Sequence, residues 1–141
     1  MKRKVMLVFL CFIGLFFSGS KTGNTKMTTL TIGHTSHAET DLHAAAESVK
    51  KKFSDFRGCT LTELVYEEEK AVAEIKTYLK SGGGSGSGLS SKDIIVFTST
   101  FEVDGDGAEN TLNPNSTYTN WLWFVVKAKN SGKWEVQDFG Y

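Results

Sequence analysis

The chain of 141 residues carries 16 basic and 16 acidic side chains and is 40% hydrophobic, with ten phenylalanines, four tyrosines and three tryptophans. A chain of this size and apolar content supports one packed core and excludes a second domain beside it. Lys2, Arg3 and Lys4 stand at the start with no acid near them, so residues 21–141 hold 13 basic against 16 acidic residues, and a mildly acidic domain has no charge footprint for nucleic acid or anionic lipid.

Residues 1–20, MKRKVMLVFLCFIGLFFSGS, read as a secretory signal peptide: a basic start, an uncharged run over Val5–Phe17, then the small residues Ser18, Gly19 and Ser20. The run is shorter than the roughly 20 residues that a membrane-spanning helix needs. Export to the medium or to the outer face of the cell membrane is therefore expected, with cleavage near Ser18 to Ser20. Membrane contact is expected only through an uncleaved leader. Cys11 sits inside the apolar run behind Leu10, the wrong setting for lipid attachment, and Ser20 stands where a lipobox would place its cysteine. A serine hydroxyl cannot form that thioether. Loss of the leader leaves Cys59 alone, which rules out an internal disulfide and points to a small buried hydrophobe.

Residues 21–27 read as a flexible polar linker, and residues 28–141 as one domain. Thr28 to Ile32 is β-branched enough for a short edge strand. Ser36 and Glu39 have the spacing of a capping box, with Ser36 or Thr40 as the N-cap. Leu42, Ala45, Ala46, Val49, Phe53 and Phe56 then recur at intervals of three and four, predicting a helix with one buried stripe that Gly58 ends. Leu61 to Tyr66 predicts a strand. Ala71, Ile75, Tyr78 and Leu79 predict a second helix over Glu68 to Leu79. The Gly/Ser-rich stretch 81–91 is read as a flexible loop and not a phosphate loop, because no Walker lysine follows it. Strands are expected over Ile94 to Val103, Tyr118 to Lys129 and Lys133 to Phe139, the last two joined by a tight turn at Asn130-Ser131-Gly132. In the middle one Trp121, Trp123 and Val125 face one way and Leu122, Phe124 and Val126 the other. Helices followed by a run of strands predict an α+β fold with the helices on one face of a curved antiparallel sheet.

The segments Asn113-Pro114-Asn115-Ser116-Thr117-Tyr118, Asn120-Trp121, Gly132-Lys133-Trp134 and Asp138-x-Gly140-Tyr141 resemble a family of small exported proteins from Gram-positive bacteria. Most of these are lipoproteins by sequence, and they are known only as a domain of unknown function. Thr31-Ile32-Gly33, Lys51-Lys52-Phe53-x-Asp55-Phe56-x-Gly58-Cys59 and Tyr66-x-Glu68-Glu69 extend the resemblance over most of residues 30–141. Ser20 and Val65 depart from the family pattern, which has a cysteine and a tryptophan there. The family is similar to the NTF2-like (cystatin-like) group, which implies a long helix in the concave face of a curved sheet. It implies no particular activity.

His34, His37 and His43 lie close in sequence with Glu39 and Asp41 between them, but their spacing fits no single helical face, and no metal or other cofactor is expected. Asp104 to Glu109 lacks the third and twelfth ligands of an EF-hand loop. The aromatic set Tyr118, Trp121, Trp123, Trp134, Phe139 and Tyr141 is able to line a pocket with Asp138 as its polar group. Tyr66, Tyr118, Trp121, Trp123 and Asp138 are the candidate ligand-binding residues, and no catalytic residue is assigned. The favoured reading is a non-enzymatic exported domain that binds a small ligand or another envelope protein. The alternatives are an NTF2-like isomerase or hydrolase using Asp138 with Tyr66 or Tyr118, and a passive spacer at the cell surface. By analogy a homodimer would form through an outer sheet face carrying an exposed Trp121 or Trp123.

Overall fold

The computed structural model describes residues 22–84 and 88–141. The leader and the middle of the Gly/Ser run lie outside the described residues. The chain folds as β1 (Thr29–Ile32), α1 (Glu39–Phe53), β2 (Cys59–Tyr66), α2 (Glu68–Lys80), β3 (Ile94–Val103), a four-residue helix α3 (Gly107–Asn110), β4 (Thr117–Lys127) and β5 (Trp134–Gly140), with a single 3-10 turn over Ser91–Asp93 before β3. The class is α+β, as expected. Among the described residues, no helix is long and apolar enough to cross a membrane.

The five strands lie in sequence order in one sheet. From β2 to β5 every pairing is antiparallel, but β1 runs parallel to β2, so the sheet is mixed. A parallel neighbour needs a crossover, and α1 is that crossover. The chain joins the body earlier than the expected linker allowed: Gly23 N–H donates to Ser54 O, Asn24 N–H to Cys59 O, and Leu61 N–H to Asn24 O.

The two helices take opposite faces, which differs from the expectation of a single covered face. Strand β4 is regular over Leu122 to Val126 against β3, so neighbouring side chains point apart. Phe53 and Phe56 pack on Trp123, with ring centroids 6.2 and 5.4 Å away. Tyr78 of α2 stacks instead on Phe124 at 4.4 Å. The apolar residues on both sides of β4 thus reflect helices on both faces. Register shifts at Leu61/Glu63, Ser99/Phe101 and Phe124/Val125 mark bulges that bend the strands. One bulge holds Asn120 at φ 58°.

The core joins Leu42, Ala45, Ala46, Val49 and Phe53 of α1 to Leu64, Phe97, Phe101, Trp123 and Val125 of the sheet, all of them buried. The helix ends at Phe53, before Phe56 and well before Gly58. Phe56 sits in the turn that follows, its N–H bonded to Phe53 O, and its ring stacks on Phe53 at 5.0 Å. The expected capping box is absent, since Ala38 is the N-cap and makes no side-chain cap. Ser36 is drawn away by Glu68. A capping box forms instead at Ser90 and Asp93.

Cys59 is buried, and burial first and the charge of Asp104 second push its thiol up to about 11. Since the thiolate is the reactive form, Ellman's reagent at pH 8 is expected to leave the native protein unmodified and to label one thiol per domain in denaturant. Rapid labelling of the native protein would show Cys59 to be open to solvent.

Candidate functional site

A cavity of about 440 Å³ opens where the turn after α1, the α3 segment and strands β4 and β5 meet. Phe56 enters it because the helix stops three residues earlier and the chain swings back toward the sheet. Trp121 and Phe139 enter from neighbouring strands, and Ala108, Thr111 and Leu112 close the side away from the sheet. The Phe139 ring lies 5.4 Å from Phe56 and stacks on Trp121 at 6.3 Å and 28°. Trp121 also meets Phe101, Tyr118 and Tyr141 at 5.4, 5.8 and 5.1 Å. Its Nε1–H is buried with no acceptor in reach. An unmade bond of this kind costs about 1–3 kcal/mol. Among the described residues this nitrogen is the one buried side-chain polar atom left without a hydrogen-bond partner.

Lys52, Asp55 and Arg57 bring charge to the lining. Lys52 Nζ is 3.2 Å from Asp55 Oδ2. Among the described residues Asp55 is the only carboxylate that lines the cavity.

The sequence candidates separate. Tyr118 and Trp121 come together with Phe139 and Tyr141, as the aromatic set suggested. Trp123 is fully buried, and its Nε1–H donates to Ser99 Oγ at 2.8 Å. It belongs to the core and offers no surface to a ligand or a second subunit, while Trp121 is half-buried. Asp138 is exposed and pairs across the strands with Phe124, on the α2 side of the sheet. Consistently, Tyr78 on α2 is raised first by burial and then by the charge of Asp138. Asp138 therefore does not reach the cavity, and it does not pair with Tyr66 or Tyr118. Trp134 lies elsewhere, its Nε1–H bonded to Asp41 Oδ1 at 3.1 Å. Phe56, Leu112 and the α3 segment were missed, because only the folded loop brings them to Trp121.

Tyr66 anchors a separate polar cluster. Glu68 accepts from Ser36 N–H at 2.7 Å, from Ser36 Oγ at 2.8 Å and from Tyr66 OH at 3.2 Å. His37 packs edge-on between the rings of Tyr66 and Trp134, while His34 and His43 are exposed. Among the described residues no three His, Cys, Asp or Glu side chains are grouped to hold a metal ion.

Burial works to raise the Glu68 pKa, but the Ser36 backbone and hydroxyl, the Tyr66 hydroxyl and then His37 outweigh it and hold the carboxyl below its usual range. Tyr66 is pushed up to about 12, by burial first and the Glu68 charge second. A depressed folded pKa stabilises the fold above the unfolded value and loses that contribution as pH falls through the folded one. Glu68→Gln is accordingly expected to be less stable than the wild type at pH 7, with the gap closing in urea titrations toward pH 3. A gap that stays constant over that range would count against the network.

The fold and its aromatic cavity define an α+β domain built around an apolar pocket on the α1 face of a five-stranded sheet. The chain belongs to the family described as "Domain of unknown function (DUF4829)", whose model matches residues 33–140. No curated protein and no solved structure matches it.

Proposed function

We propose that this is an exported, NTF2-like binding module whose cavity takes a small, mostly apolar ligand with one hydrogen-bond acceptor. The observation that carries the reading is the buried, unpartnered Trp121 Nε1–H in a wall made with Phe56, Leu112 and Phe139. The volume falls in the range of small-molecule sites, about 300–1,000 Å³. Because the N–H is shielded from solvent, an acceptor reaches it when Phe139 or Tyr141 turns aside. Tyr141, 76% exposed, turns more readily than Phe139, which is 39% exposed and packs on Phe56, Trp121 and Trp123. Binding is favoured over acid/base catalysis because Asp138 faces the other side of the sheet and Asp55 is paired with Lys52.

Export is supported by the basic, apolar and small-residue order of positions 1–20, and the NTF2-like reading by a helix laid across a bulged sheet. Membership among exported Gram-positive relatives, lipoproteins in the main, rests on the motif resemblance. The natural ligand is a small apolar molecule at the cell envelope. Organic extraction and mass spectrometry of the purified protein should recover one apolar species, absent from Leu112→Trp, which fills the cavity. Trp121→Phe should keep the pocket and weaken binding of that species about 3- to 10-fold, the loss of one hydrogen bond. Wild-type protein that carries nothing and binds no apolar fluorescent probe sensitive to Leu112→Trp would overturn the reading. Intact mass of material from the medium tests export, and a mass that includes Met1 would refute cleavage.

A further inference from the structure

A second cavity, of about 560 Å³, lies between α2, the loop before α1 and the 3-10 turn that leads into β3. We propose that it is a binding site for a soluble anionic amphiphile, a phosphate or carboxylate head on a short apolar chain. Lys76 of α2 and Lys92 of the 3-10 turn both line it, brought together from separate segments. Among the described residues neither has an acidic partner within salt-bridge distance. Two lysines on one cavity lining make it favourable ground for an anion.

Glu68, the carboxylate among the described lining residues, keeps its charge and offsets one of the two lysines, so the lining is left with an excess of one positive charge. Its oxygens already take three donors, two from Ser36 and one from Tyr66. That clamp also fixes the loop that forms the cavity wall. Beside the lysines, Val72, which is 56% exposed, and Leu79 present an apolar strip. Head group and chain thus each have a surface. The site is separate from the Trp121 cavity, with which it shares no lining residue.

The test is isothermal titration of the whole protein with octyl phosphate and, separately, with inorganic phosphate. Octyl phosphate is expected to bind with an affinity that falls as sodium chloride rises. Lys76→Ala with Lys92→Ala should weaken it at least tenfold while leaving the thermal midpoint within a few degrees, since both side chains are exposed. Val72→Thr, which keeps the shape and adds no charge, should weaken octyl phosphate but not inorganic phosphate. Trp121→Phe should change neither. No binding of octyl phosphate, or binding that survives the double lysine substitution, overturns the proposal. So does binding to phosphatidylglycerol vesicles at octyl phosphate concentrations that give no soluble complex, because the ligand source would then be a membrane surface.

Discussion

Trp123→Ala is expected to cost about 3–5 kcal/mol, the range for removing a buried large aromatic side chain. The ring is fully buried and is packed by Phe53, Phe56 and Phe139 at 6.2, 5.4 and 5.3 Å. These neighbours come from α1, its following turn and β5, so the cavity left behind cannot close by moving one element. Native domains hold only about 5–15 kcal/mol in reserve. Urea denaturation should therefore show a midpoint lowered by about a fifth or more at an unchanged slope. The indole N–H contributes separately. Ser99 is 2% exposed, and its Oγ accepts from Trp123 Nε1 while donating to Trp121 O. Ser99→Ala leaves that N–H without a partner, at about 1–3 kcal/mol. Trp123→Phe combined with Ser99→Ala removes both ends and should cost less than the sum of the two single changes. A Trp123→Ala protein within 1 kcal/mol of the wild type would show that the β4 register, and with it the placing of Trp121 in the cavity, is wrong.

The same alternation shows how far the residues alone reach. The period of two in β4 correctly separates Trp121, Trp123 and Val125 from Leu122, Phe124 and Val126, because each side chain obeys local backbone geometry. The stripes Leu42 to Phe53 and Ala71 to Tyr78 are legible for the same reason. A stripe says that a helix is buried and not against which face, so α2 was free to take the side of Phe124. Ser36 was equally ambiguous. Its spacing to Glu39 suits a cap, yet Glu68, thirty-two positions away, competes for the same groups and wins with three bonds to one carboxylate. Parallel pairing of β1 was hidden because a four-residue strand carries no mark of its direction. At the site, Trp121 was found by its place in a strand, whereas Leu112 and Phe56 depend on where two loops turn. Asp138 misled because it is the neighbour of Phe139 in β5: Phe139 pairs with Trp123 on the cavity face, so alternation puts Asp138, paired with Phe124, on the other.

Gly107→Ala is expected to disrupt the cavity while sparing the core, because the loop that carries Ala108, Thr111 and Leu112 depends on a left-handed turn. Gly107 has φ 60°, and Ala108 follows at φ 49°. A Cβ on Gly107 would collide with the backbone oxygen of Leu112 and come within 3.3 Å of the Pro114 ring. Backbone cannot yield as a side chain does, and the strained φ adds its own cost, of order 1–3 kcal/mol for a non-glycine residue. The turn also holds Leu112 N–H on Gly107 O at 2.9 Å and Gly107 N–H on Asp104 O at 3.2 Å. Relief of the collision pulls Leu112 off the wall opposite Trp121. The variant should lose about 2 kcal/mol in denaturant and at least tenfold in affinity for an apolar probe that fills the cavity. Gly132→Ala is the control, since Gly132 has φ 71° and nothing lies within 4 Å of its Cβ position. It should lose stability without losing binding, as its hairpin lies away from the pocket. If both variants lose binding in proportion to stability, the effect is global unfolding. If only Gly107→Ala loses it at a temperature where both stay folded, the α3 loop is the wall that the ligand touches.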